Sequence, residues 1–131
     1  MATYGTEKEG FEITKVGGSS PIVQLRVWGF WRPTTVSSFA QQMPLAPVDL
    51  DGPWSLLFDC TAARTQSSES YTALVKIFTK LRTLGMKRIA VATSDSMVKL
   101  QVRRLSEESG QEGWTFHADI ASARASLPTG S

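Results

Sequence analysis

Few side chains in this sequence can do covalent or acid–base chemistry. It holds one Cys, Cys60, and one His, His117. Those counts exclude an intrachain disulfide and a Cys/His zinc site. A Ser-His-Asp arrangement has to run through His117, whose pKa range suits a general base. No Ser or Cys is tied to His117 by a local motif. Cys60 adjoins Asp59, and a neighbouring carboxylate disfavours the thiolate, so it reads as a packed cysteine. Gly17-Gly18-Ser19-Ser20 is Gly-rich, but it falls between two strand-like runs. A phosphate-binding loop needs a strand-to-helix turn ending in Gly-Lys-Ser/Thr. With no cofactor or metal motif, the chain reads as neither cofactor-bearing nor an enzyme.

The remaining candidates are for binding. Asp59 ends an apolar run, and open α/β sheets place ligand sites at such strand ends. Its neighbours Thr61, Arg64 and Thr65 form a polar loop, and Thr93, Ser94 and Asp95 form a parallel one after the next strand. Together they make a recognition edge for a protein partner. The plainer role for Asp59 is to accept hydrogen bonds from its own loop. Ser67 and Ser68 stand where a helix begins, and either can cap it for about 1 kcal/mol. A phosphate there would meet free N–H groups and the positive end of the helix dipole. Trp28, Phe30 and Trp31 surround Gly29 beside Arg32. Exposed aromatics beside Arg serve as interface anchors, with Trp31 the residue to watch. Alternatively they are core under the first helix. A third use is a pocket for an apolar or lipid-like molecule, lined by Trp28, Phe30, Phe39 and Phe78.

These residues need elements to hold them. Phe11 to Val16 and Ile22 to Trp28 alternate apolar and polar around a Gly/Ser/Pro turn, which predicts an antiparallel hairpin. Val36, Phe39, Ala40 and Met43 recur at helical spacing after Pro33 and stop at Pro44. Trp54 to Phe58 and Ile89 to Ala92 are continuous apolar runs, as in parallel strands buried on both faces. The first is expected to stop at Asp59. Between them Tyr71, Leu74, Ile77, Phe78, Leu81 and Leu84 mark a long helix closed by Gly85. Met97, Val98, Val102 and Leu105 mark another, with Lys99, Arg103 and Arg104 on its outer face. Trp114 to His117 suits a short strand, and Asp119 caps a final helix. The order β-β-α-β-α-β-α-β-α predicts an α/β domain with a mixed sheet and about four helices.

Composition agrees. The chain has 131 residues, 41% hydrophobic and 20% charged, which fits one domain over residues 10–127 with flexible ends at 1–9 and 128–131. Fourteen Lys and Arg against twelve Asp and Glu give +2, too little to imply nucleic acid. Met1 to Gly10 shows no signal-peptide pattern and no run reaches a membrane span, so a cytoplasmic location is the expectation. An aromatic surface also allows a weak homodimer.

Three stretches resemble the STAS, or SpoIIAA-like (anti-sigma-factor antagonist), family. They are Val23-Gln24-Leu25-Arg26-Val27-Trp28-Gly29, Leu56-Leu57-Phe58-Asp59, and Lys87-Arg88-Ile89-Ala90-Val91-Ala92 followed by Phe116 and Ala123 to Leu127. The resemblance spans about residues 11–127. It implies a non-enzymatic regulatory module of bacterial signalling that binds a protein partner, such as a kinase-like protein. It also implies a switch by Ser phosphorylation at the start of the helix after the Asp-ending strand. The matching stretch here is Ser67-Ser68-Glu69-Ser70, with Ser68 the closest position. The family's Asp and Gly of that motif are absent, which places the chain nearer the branch that lacks it. Asp49-Leu50-Asp51-Gly52 looks like the first motif of haloacid-dehalogenase phosphatases, but it follows Pro47-Val48 rather than a strand, and Pro53 replaces the usual Thr. It reads as a turn in which Gly52 supplies a positive φ.

Overall fold

The structure, a computed structural model, describes residues 2–16 and 20–128. The expected hairpin turn at Gly17 to Ser19 lies outside them. Six strands form one sheet in chain order: β1 (Ala2–Gly5), β2 (Gly10–Val16), β3 (Ile22–Gly29), β4 (Trp54–Ala63), β5 (Met86–Ala92) and β6 (Trp114–His117). The pairs β1–β2 and β2–β3 are antiparallel, and β3 through β6 run parallel. Four helices connect and cover them: α1 (Pro33–Gln42), α2 (Ser68–Thr83), α3 (Ser96–Glu108) and α4 (Ile120–Ala125).

Strand alternation divides the core into two layers. Leu56, Phe58, Ile89 and Val91 point to one face and pack with Phe39, Phe78, Val98 and Leu105 from α1, α2 and α3. Leu57, Ala90 and Ala92 point to the other and meet Ala123 and Leu127 of the α4 segment. That is why β4 reads as unbroken apolar sequence: both of its faces are covered. The small side chains of Ala90, Ala92 and Ala123 let α4 lie close to the sheet. An aromatic chain crosses the larger layer, Phe11 to Trp31 to Phe39 to Phe78, with centroids 5.1–6.5 Å apart.

The helix ends follow the residues expected of them. Pro33 opens α1. The Ser67, Asp95 and Asp119 side chains cap α2, α3 and α4. Gly85 follows the end of α2 at φ 100°, and Gly52 turns at φ 76°. Asp49 beside that turn is ion-paired with Lys15 at 2.7 Å, which fits the reading of this run as a turn.

Three differences from the expected elements stand out. Residues 2–5, expected to fray, form edge strand β1, because Gly5 at φ 113° reverses the chain so that Tyr4 pairs with Phe11. Four residues are too few to show alternation. β4 does not stop at Asp59 but runs on to Ala63. Arg26 pairs with Asp59 and Trp28 with Ala62, so β4 carries one extra residue against β3, a bulge. Met97, expected in the core stripe of α3, is 62% exposed, while Val98, Val102 and Leu105 are buried.

Candidate functional site

The segments after β3 and β4, and helix α3, converge on one residue, Gln66. Its Oε1 accepts from the Trp31 N–H at 2.8 Å. Its Nε2 donates to the carbonyls of Gly29 at 3.1 Å and Arg64 at 2.7 Å. Its backbone pairs reciprocally with the Gln101 side chain on α3, at 2.7 and 3.0 Å. One residue thus ties the β3–α1 loop, the β4–α2 loop and α3 together. Neither Gln was singled out from sequence, because a side-chain amide that bonds to backbone leaves no periodic signature.

A second tie lies below β3. Glu9 is 5% exposed and accepts from the Arg32 N–H at 3.0 Å and from the Thr35 hydroxyl, with the Arg32 guanidinium at 3.4 Å. Burial raises its pKa, but those hydrogen bonds and the Arg32 charge outweigh it, and the net shift is downward. Gly29 (φ 75°) lets residues 8 and 9 pass: a Cβ there would lie 2.0 Å from the Lys8 carbonyl oxygen.

On this frame the expected edge residues separate into two groups. Arg64, Thr65, Ser67 and Ser68 of the β4–α2 connection are exposed, as are Ser94 and Asp95 after β5. Adjacent parallel strands deliver both loops to the same edge. The Ser67 hydroxyl accepts from the Ser70 N–H at 3.2 Å, so Ser67 is the cap and Ser68 the first helical residue. Asp95 accepts from the N–H groups of Met97 and Val98, and Thr93 supports it by accepting from the Asp95 N–H. Thr93 itself is buried. Asp59 is buried too, and it accepts from the N–H and hydroxyl of exposed Thr61 at 3.0 and 2.6 Å. Its work is to hold the β4 bulge. It points to the α4 side with Leu57, away from α2 and α3.

Trp31 is not an exposed anchor. It is 4% exposed, donates from Nε1 to the Gly10 carbonyl at 3.0 Å, and packs on Phe11 and Phe39. It is core beneath α1, the alternative that the sequence left open for this cluster. Nor do Trp28, Phe30, Phe39 and Phe78 line one pocket. Trp28 lies beneath the Arg26 guanidinium and donates to the Thr6 carbonyl, Phe30 is exposed, and only Phe39 and Phe78 meet in the core. The apolar cavity that does exist lies between the sheet, α2 and α3, holds about 40 Å³, and is lined by Trp31, Phe58, Cys60, Tyr71 and Leu105 among others.

The reactive side chains stand apart. Burial first, and then the Asp59 charge, push the Cys60 thiol well up. His117 bonds through Nε2 to the Thr115 hydroxyl at 2.9 Å, in register with Ala92 on the neighbouring strand. Tyr71 is pushed up to about 12, by burial and then by Glu108. What the edge offers a partner is an exposed rim: Arg64, Thr65, Ser68 and Ser94, beside Met97 and Leu100, which are 62% and 54% exposed on α3.

No protein-family model and no curated protein matches the sequence. Among solved structures, an uncharacterized protein of the DUF3478 family from Shewanella loihica, described as having a SpoIIAA-like fold, is similar with a TM-score of 0.73. The match covers 95% of this chain and 99% of that one at 16% identity. The fold of this chain is therefore SpoIIAA-like, as the three sequence stretches implied. Among the described residues, no helix is long and apolar enough to cross a membrane.

Proposed function

We propose that the chain is a non-enzymatic regulatory module. Its partner, a kinase-like or other regulatory protein, docks on the rim formed by the β4–α2 and β5–α3 loops. The observation that carries this reading is the Gln66 clamp, which ties the β4–α2 loop to the β3–α1 loop and to α3 while leaving Arg64, Thr65, Ser68 and Ser94 exposed. A rim ordered in advance spares the roughly 0.5–1.5 kcal/mol per side chain that ordering on contact would cost. Met97 and Leu100 add apolar area beside it. The SpoIIAA-like fold supports a module of the anti-sigma-factor-antagonist kind. A cytoplasmic location fits that role, and a weak homodimer is compatible with it.

Ser68 is the position for a phosphate switch. It is exposed at the first turn of α2, where unpaired N–H groups and the helix dipole stabilise a phosphate. Ser67 has its hydroxyl engaged as the cap. The lipid-like-ligand reading has weaker support: 40 Å³ is far below the roughly 150 Å³ that an empty apolar cavity needs to hold benzene.

Affinity purification from the native source with mass spectrometry tests both parts. The expected result is a recurring protein partner whose recovery falls with Arg64→Glu, and falls or changes with Ser68→Asp. Unchanged recovery with Ser68→Asp alone rejects the switch. Unchanged recovery with Arg64→Glu rejects the rim.

A further inference from the structure

A large open concavity lies at the opposite edge, where the parallel strands begin. It holds about 1010 Å³ and includes Arg82, Lys87, Arg88, Gln111, Glu112 and Trp114 in its lining. Three of these side chains are cations, and none of the three is in an ion pair among the described residues. Glu112 is the one acidic side chain in the lining. Arg82 lies in the last turn of α2 and so complements the helix dipole. That role does not extend to Lys87 and Arg88, which open strand β5. The Arg82 guanidinium reaches Gly110 beyond α3, with Nη1 2.8 Å from where a Cβ of Gly110 would stand. An alanine there would displace it.

Two residues of the cleft lining each carry a buried polar atom without a partner among the described residues: the Trp114 Nε1 donor and the Gln111 Oε1 acceptor. Gln111 Nε2 donates to the Lys87 and Glu112 carbonyls, which fixes the amide's orientation and leaves Oε1 as its free acceptor. Trp114 is held in place through its ring, tilted against Phe78 at 5.7 Å and stacked with Phe116 at 6.5 Å. A buried donor or acceptor left unpaired is costly, so each favours a bound group that satisfies it. The register of β4 against β5 shifts at Lys87, so alternation does not assign its face, but Lys87 lines the cleft together with Arg82, Gln111 and Trp114. The donor, the acceptor and two cations therefore belong to residues that line one cleft.

We infer that this cleft binds a small hydroxylated oxyanion, a phosphate ester or a carboxylate. Its charged oxygens accept from Trp114 Nε1, Arg82 and Lys87, and its hydroxyl donates to Gln111 Oε1. Such an oxyanion gains charge-assisted hydrogen bonds from groups already in place. The site is remote from the partner rim, so its test does not depend on the proposed docking function.

The test is NMR on the full ¹⁵N-labelled chain, following the Trp114 indole N–H, assigned by its loss in Trp114→Phe. The probes are inorganic phosphate, glycerol 3-phosphate, glycerate and glycerol, at ionic strength held constant with sodium chloride. The indole resonance is expected to move saturably with glycerol 3-phosphate or glycerate, whichever headgroup the site takes, and not with glycerol. Arg82→Gln and Lys87→Gln, both at exposed positions, each weaken binding about tenfold, the effect of one charge-assisted hydrogen bond. Gln111→Ala reduces affinity for the hydroxylated anion to that for the bare anion. An indole resonance that stays put, or moves without saturation, with every anion overturns the inference. Unchanged affinity in Arg82→Gln and Lys87→Gln overturns it as well.

Discussion

Replacing Gln66 by Ala removes the side chain that joins three segments at the partner rim. The loss is three hydrogen bonds: the one Oε1 accepts from Trp31, and the two Nε2 donates to Gly29 and Arg64. At about 0.5–1.5 kcal/mol net each, their sum lies between roughly 1.5 and 4.5 kcal/mol. The backbone bonds to Gln101 remain, and water reaches the exposed Arg64 carbonyl, so the expected loss is about 2–3 kcal/mol. Gln66→Glu should be worse, since a carboxylate oxygen would then face two carbonyls in place of the amide donor. The assay is urea unfolding followed by tryptophan fluorescence. The midpoint should fall with the slope unchanged, and Tm by about 3–5 °C per kcal/mol. A loss below about 0.5 kcal/mol for Gln66→Ala, or equal stability of the Ala and Glu variants, would refute the view that Gln66 clamps the rim.

Three further outcomes follow from the same geometry. Glu9 has its pKa lowered in the folded state, so it adds stability above the unfolded-state pKa and loses it as pH falls through the folded value. Glu9→Gln should therefore be clearly less stable than the parent at pH 7, with the gap closing at acid pH; a pH-independent gap in denaturation midpoints contradicts this. Gly29→Ala forces an alanine to φ 75° with its Cβ against the Lys8 carbonyl, and should cost more than about 3 kcal/mol by chemical denaturation. Asp95→Ala removes the cap that holds two N–H groups of α3 and should cost about 1 kcal/mol, with hydrogen exchange rising first at residues 97 and 98.

The sequence carried the parts of this account that are written in periodicity. The alternation of β2 and β3, the unbroken apolar run of β4, the α2 stripe and the caps at Ser67 and Asp119 all rest on local spacing. The same spacing misled at Met97, which fits the stripe of α3 by position yet sits on its exposed flank. Residue type misled at Trp31, where an aromatic beside Arg read as an anchor and the alternative, core under the first helix, is what the fold shows. What was illegible depends on contacts distant in sequence. Glu9 has meaning only beside Thr35 and Arg32, and Gln66 only beside Trp31 and Gln101. Likewise the Trp114 donor and Gln111 acceptor matter only because both residues line one cleft with Arg82 and Lys87. The reading of Asp59 as a loop-holding carboxylate was available from sequence, whereas the bulge it holds was not.

Photocrosslinking tests the docking rim most directly. A photoreactive side chain is placed singly at Thr65 and Ser94, on the rim, and at Glu112 and Ser126, which line the cleft at the far edge. Each variant is irradiated in extract of the native source. The expected result is one protein adduct, of the same identity, from positions 65 and 94, and none of that identity from 112 or 126. The same adduct from the far-edge positions alone, or no adduct from either rim position, would contradict it.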